Sequence, residues 1–285
     1  MSKPKRQHWV PQFYLKYFAV PETQVTKNPL IYVHSRDGLG VKCHRRSIKD
    51  VCVQNYLYSP DQPNGERDWS MEYMLGDIET QLGSLWPEIT QGGTALQSDE
   101  TKRLMATFVA AMHLRNPAIH QLIGSTLALA DQLFGPVGTR VVDKPEKVHP
   151  DAGNADRFFV SMIRERLPET TKIFQAKNWT IGVRDSDSFI TSDLPVVFWN
   201  PSGPKKAGLG VPGTTTFFPL SPRRILLMGG LPTPSRYAQV QLDNDAVRTI
   251  NSLLVASSKR FVFATHQRVT GLTPAECQPD DERLA

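Results

Sequence analysis

The sequence predicts an α+β fold in which a central helical region packs with a mostly antiparallel β-sheet formed by N-terminal and C-terminal strands. Two changes of hydrophobic period carry that reading. Apolar residues recur at three and four over about residues 68–177, and the period falls to two on either side, at about 30–45 and at about 179–265. With 285 residues and no internal repeat, the chain reads as one α+β domain over 1–272, followed by a flexible tail, 273–285, rich in proline and acidic residues.

Each element has a local reason. Residues 30–36 (LIYVHSR) alternate, Asp37-Gly38 supplies a turn, and Val41 to Arg45 return as the second arm of a hairpin. The first long helix starts at an N-cap, Asp68 or Ser70, carries Met71, Leu75, Ile78, Leu82, Trp86 and Ile89 on one stripe, and ends near Gly92-Gly93. Ser98 caps a second helix with Leu104, Phe108, Ala111 and Met112 apolar, and Pro117 stops it or kinks it into a third through Ile119, Leu122, Ile123 and Leu127. Glycines and prolines over 135–154 mark a surface connection. A helix over about 155–176 follows, with a break at Pro168. The stretches WTIGV, FIT and VVFW then read as strands, with Asp185-Ser186-Asp187 turning the first pair. TTTFF and RILLM continue the sheet across a corner at Pro219 to Pro222, Asp243 caps a helix to about Ser257, and RFVFAT adds the last strand.

Composition narrows the function classes. Hydrophobic residues at 40% and charged residues at 21% exclude a disordered or fibrous chain. No apolar run reaches the roughly 18 to 20 residues of a bilayer span, and MSKPKRQHW lacks the apolar core of a signal peptide, so a cytoplasmic protein without a membrane partner is expected. Cys43, Cys52 and Cys277 form no Cys-x-x-Cys pair and are expected to be free thiols. The net charge of +5 gathers in short clusters, among them Lys3-Pro4-Lys5-Arg6 and Lys42 to Arg46, which suit a phosphate-bearing partner or simply solvated loops. The phosphate-binding loop, the dinucleotide glycine motif, the His-Glu-x-x-His pair and the Gly-x-Ser-x-Gly elbow are all missing from the sequence.

Four polar placements remain. His8 sits among aromatics in Gln7 to Phe18, where an imidazole can act as acid, base or ligand, or can simply hold a backbone group. Glu72 and Glu79 are two helical turns apart on one side of a helix, about 10.5 Å in rise, a spacing that suits the two ends of a polar cleft or two solvated edge charges. Arg115 falls on the apolar stripe of Leu104, Phe108 and Ala111 and so requires a carboxylate or an anion. Pairing with Glu72 or Glu79 is expected, because the helices that carry them are consecutive. Ser192 and Asp193 end an apolar strand before Leu194-Pro195, a place for a functional carboxylate or for an ordinary turn.

In that order, the His8-x-x-Pro11-x-x-Tyr14-Leu15-x-x-Phe18 box, Glu72 with Glu79, Arg115-Asn116-Pro117, Thr191-Ser192-Asp193-x-Pro195 and Pro219-Leu220-Ser221-Pro222 resemble the bacterial domain of unknown function 4238 family over roughly residues 7–265. Leu194 departs from that family's usual Asn before Pro and removes an amide. The resemblance implies no reaction. It does imply that its motif residues converge, with His8, Glu72 and Asp193 as acid-base groups and Arg115, Tyr14, Glu79 and Ser192 as substrate contacts. Such a set offers acid-base capacity, a divalent-metal seat and an anion clamp, which suit a hydrolase or nuclease-like phosphodiesterase acting on a nucleotide or nucleic acid. The alternative is a ligand or nucleic-acid binding module without chemistry, carried by the basic clusters, whose affinity falls steeply with salt.

Overall fold

The computed structural model describes residues 3–36, 43–135, 154–201, 208–229 and 237–267. Asp37-Gly38, Val41, Lys42, most of the 135–154 connection, Cys277 and the 273–285 tail lie outside them. In chain order the elements are β1 (Arg6–His8), α1 (Gln12–Lys16), β2 (Leu30–Ser35), β3 (Cys43–Ser47) and β4 (Val53–Asn55), then α2 (Ser70–Gln91), α3 (Asp99–Leu114), α4 (Pro117–Phe134) and α5 (Ala155–Ala176). The C-terminal part holds β5 (Trp179–Val183), β6 (Thr191–Ser192), β7 (Val197–Trp199), β8 (Thr215–Ser221), β9 (Arg224–Met228), β10 (Tyr237–Gln241), α6 (Asn244–Ser257) and β11 (Phe261–Ala264). This is the α+β class the sequence predicts.

Helix α2 starts after Trp69, which makes no side-chain cap bond, in place of the expected Asp68 or Ser70, whereas α3, α4 and α6 start at capping side chains. Ser98 Oγ accepts from Thr101 N–H at 3.0 Å, Asn116 Oδ1 from Ala118 N–H at 2.7 Å and Asp243 Oδ1 from Ala246 N–H at 2.8 Å. Gly92, at φ 93°, closes α2 in the left-handed conformation that only glycine enters freely. The break expected at Pro168 does not occur, because α5 runs through it. The missing N–H frees one carbonyl, while buried Phe159, Ile163, Leu167 and Phe174 hold both sides of the helix against the core.

Among the described residues the β part forms three sheets instead of one. β1 pairs with β4; β10-β5-β9-β8-β7 form a second sheet, with β10 parallel to β5 and the other pairs antiparallel; β3-β2-β11-β6 form a third, in which the N-terminal hairpin meets the last strand. The expected pairing of the Trp179 strand with the Phe189–Thr191 stretch is also replaced. Both edges of β5 are filled, by β9 and β10, so the chain after Val183 follows the β8–β9 corner, where Ser188 and Phe189 N–H donate to Pro222 O at 2.7 and 2.8 Å. It then enters the third sheet as β6. Trp86 of α2 lies at the centre of the core, within 5.4 to 6.5 Å of the rings of Phe13, Tyr14, Phe108 and Phe218, and its Nε1 donates to Leu220 O at 3.2 Å. Helix α2 thus presents its apolar stripe to the core and its flanking stripe, Glu72, Gly76, Glu79 and Gly83, to a cavity.

Candidate functional site

The cavity, about 560 Å³, lies between β1, α1, α2 and the end of α3. A space of that size falls in the range of small-molecule sites. In β1 alternate residues face opposite ways, so Arg6 and His8 look into it while Gln7 turns inward, where its Nε2 donates to Ser59 Oγ at 2.6 Å and its Oε1 accepts from Tyr58 N–H at 2.7 Å. The partner strand β4 is bounded by Cys52 and Tyr56, at φ 52° and 56°. Left-handed backbone at such residues costs about 1 to 3 kcal/mol and persists only where its surroundings fix it. Trp9 N–H donates to Cys52 O at 3.0 Å and Tyr56 N–H to Lys5 O at 2.9 Å, so both strained residues pin the strand that carries His8.

His8 Nε2 lies 3.2 Å from Lys49 O. A carbonyl can only accept, so the proton of the neutral ring is on Nε2. The lone pair is then on Nδ1, 3.4 Å from Gln12 Nε2. Burial, opposed by the Lys49 bond and aided by the Arg6 and Arg115 charges, pulls the His8 pKa down to about 4. Glu72 is pushed the other way, up to about 7, first by burial and then by the Glu79 charge, against the attraction of Arg115. No hydrogen bond to its carboxyl occurs among the described residues. Arg115, 1% exposed at the end of α3, donates from Nη1 to Glu79 Oε1 at 2.6 Å, the contact expected from consecutive packed helices. Tyr58 fixes that helix end by donating its hydroxyl to Arg115 O at 2.8 Å, and burial drives its pKa well above the usual phenol range.

The structure therefore brings His8, Glu72, Glu79 and Arg115 to one cavity and leaves Tyr14, Ser192 and Asp193 outside its lining. The Tyr14 hydroxyl meets Thr191 Oγ1 at 2.7 Å and its ring stacks on Phe218, while Ser192 Oγ accepts from Leu194 N–H at 3.1 Å. The Asp193 carboxylate accepts from Lys259, Arg260 and Phe261 N–H at 2.9, 2.8 and 3.2 Å and joins the turn before β11 to β6. Burial raises its pKa while those three donors lower it. Convergence of all seven residues is thus corrected to convergence of four. Nor do three His, Cys, Asp or Glu side chains cluster as a metal seat anywhere among the described residues. Sequence reasoning passed over Arg6, Gln12 and Gly76; the strand spacing 6, 8 marks Arg6 and the helical spacing 72, 76, 79, 83 marks Gly76, while Gln12 falls on neither.

Because Glu72 and His8 shift in opposite directions, their stability contributions oppose each other. Glu72 binds its proton more tightly when folded, a gain present below its ordinary value of 4.5 and lost as pH rises through about 7; His8 holds its proton less tightly, a gain present above 6.5 and lost as pH falls through about 4. Urea unfolding should show the wild type losing on the order of 1 to 3 kcal/mol relative to Glu72→Gln between about pH 4.5 and pH 8. A flat difference would mean that Glu72 is solvated as an ordinary carboxylate.

An α+β scaffold that brings a carboxyl and an imidazole beside a buried guanidinium defines a small-molecule-sized polar cavity, and the family comparison gives its lineage. The family described as "Protein of unknown function (DUF4238)" matches residues 6–268, nearly the whole chain. The protein belongs to this family. No curated protein and no solved structure matches it.

Proposed function

We propose that the cavity is the active site of a cytoplasmic hydrolase that cleaves a phosphodiester of a nucleotide or nucleic acid. The observation that carries this reading is Glu72, a carboxyl with a pKa near 7 that shares one cavity with the neutral His8 and the buried Arg115. A carboxyl tuned to working pH is suited to general acid catalysis. In the proposed reaction water attacks phosphorus and the ester P–O bond breaks. Glu72 gives its proton to the leaving alkoxide, and the proton released by water restores it, so atoms and charge balance without a further reagent. Arg115 stabilises the charge on the non-bridging oxygens. His8 Nδ1 offers a neutral acceptor for the attacking water. Free Cys43 and Cys52 agree with a reducing compartment.

The test is hydrolysis of a dinucleoside phosphate by the purified chain. Turnover should fall as pH rises through about 7 and drop by about 10² to 10⁴ in Glu72→Gln. Gly76 gives an independent block, since a Cβ there meets nothing within 4 Å and the residue lines the cavity. Gly76→Leu should leave the fold as stable or gain about 0.5 to 1 kcal/mol from helix propensity, while its side chain intrudes on the substrate space and lowers turnover. Full activity in either variant would refute the assignment. One observation favours the non-catalytic alternative: exposed His44, Arg45 and Arg46 of β3 lead to Lys49, whose carbonyl takes Arg6 and His8 at the cavity rim. Steeply salt-dependent oligonucleotide binding without turnover would select it.

A further inference from the structure

Arg115 is 1% exposed, yet much of its hydrogen-bonding capacity is unspent. Nη1 donates to Glu79; Nη2 meets the Met112 thioether at 2.9 Å; Nε is buried with no partner among the described residues. Sulfur is a weak acceptor. The Nε–H and one Nη2–H of a guanidinium point in parallel along a single edge, the edge that grips two oxygens of a phosphate or carboxylate. A buried donor left unpaired is costly, and because Arg115 lines an open cavity, an acceptor arriving there can satisfy this edge once the Met112 thioether gives way.

The charges around that edge decide what can enter. Arg6 and His8 face the cavity from β1, Glu72 and Glu79 from α2 and Arg115 from the end of α3, with Tyr58 behind Arg115; α1 contributes the uncharged Gln12 and Phe13. Arg6 is engaged at the rim by Asp50 at 2.7 Å, and Glu79 already offsets Arg115. An arriving anion would therefore stand beside two carboxylates, only one of which has a cation of its own.

We propose that the Nε–Nη2 edge of Arg115 is an oxyanion seat, and that a singly charged oxyanion enters it together with a proton held on Glu72. This rests on the function proposed above and specifies its substrate: a group with one negative charge, the phosphodiester or a carboxylate, bound with proton uptake. Titration supports it. Glu72 protonates near pH 7, whereas His8 lies at about 4 and Tyr58 well above 10, so Glu72 is the group poised to couple between pH 6 and 8.5.

The test uses the full chain and two probes, dimethyl phosphate and acetate, each with one constant charge between about pH 6 and pH 8.5. Binding is followed by NMR titration. Over that interval the protonated fraction of Glu72 falls from about nine tenths to about three hundredths, so the dissociation constant should rise about thirtyfold. Glu72→Gln should bind at both pH values with the wild-type affinity at the lower one. Arg115→Lys, which keeps the charge but lacks the fork, should bind more weakly at both. Saturation by dimethyl phosphate alone or acetate alone names the source of the oxyanion. Wild-type affinity that ignores pH, coupling that persists in Glu72→Gln, or failure of both anions to bind wild type and Glu72→Gln at the lower pH would each overturn the seat. Turnover is read separately: coupled binding with no phosphodiester hydrolysis removes the catalytic reading and leaves the seat, and hydrolysis without coupled binding does the reverse.

Discussion

Glu79→Leu should destabilise the protein by roughly 3 to 5 kcal/mol, while the double change Glu79→Leu with Arg115→Met should be close to neutral. The asymmetry follows from burial. Arg115 is 1% exposed and has one strong acceptor, Glu79 Oε1, so removing that carboxylate leaves a guanidinium in the interior with a thioether as its remaining side-chain partner. Glu79 is 28% exposed, and after Arg115→Met alone it can turn to water. That single change should therefore cost less than Glu79→Leu, about 2 kcal/mol or more below it. Replacing both removes two desolvated charges and extends the apolar contacts of Phe108 and Met112. Urea unfolding of the four proteins closes the cycle. Equal costs for the two single changes would show that Arg115 is hydrated through the cavity, and a double mutant as unstable as Glu79→Leu would show that the pair contributes net stability.

The helices were legible because their information is local. Ser98 and Asp243 cap from the positions that the sequence marks, and the stripe of α2 names its core residues. Strand pairing was legible only between strands that are neighbours in the chain, as for β2 with β3 and β8 with β9. β10 reads as an ordinary polar stretch, YAQVQ, and becomes a strand because β5 offers it an edge. The candidate site divides along the same line. Glu72, Glu79 and Arg115 lie on consecutive helices, so spacing and packing bring them together. Whether Asp193 joins them depends on which donors lie across the third sheet, and a carboxylate filled by backbone N–H groups carries the same letter as one in a cavity. Gln7 and Tyr58, which hold β1 and the end of α3 from behind, belong to segments too short to show a period.

Asp193→Ala should cost about 3 kcal/mol or more, because the carboxylate satisfies three backbone donors at once. Lys259, Arg260 and Phe261 N–H lie at the turn between α6 and β11, and Asp193 itself is 3% exposed, so water cannot easily replace it there. Its backbone is held as well, since its own N–H donates to Phe261 O at 3.0 Å and its carbonyl takes the Trp9 indole at 3.1 Å. Loss of the side chain should open the junction of β6 with β11 while leaving the α2–α3 pair in place. Asp193→Asn keeps one acceptor oxygen and sets an NH₂ against a backbone donor, so its cost should fall between wild type and alanine. Hydrogen exchange should rise first at the amides of residues 259–261. The readout separates scaffold from chemistry: an Asn variant of wild-type stability and unchanged exchange that nevertheless loses turnover would return Asp193 to the acid-base groups, whereas lost stability with turnover retained in the folded fraction assigns it to the sheet.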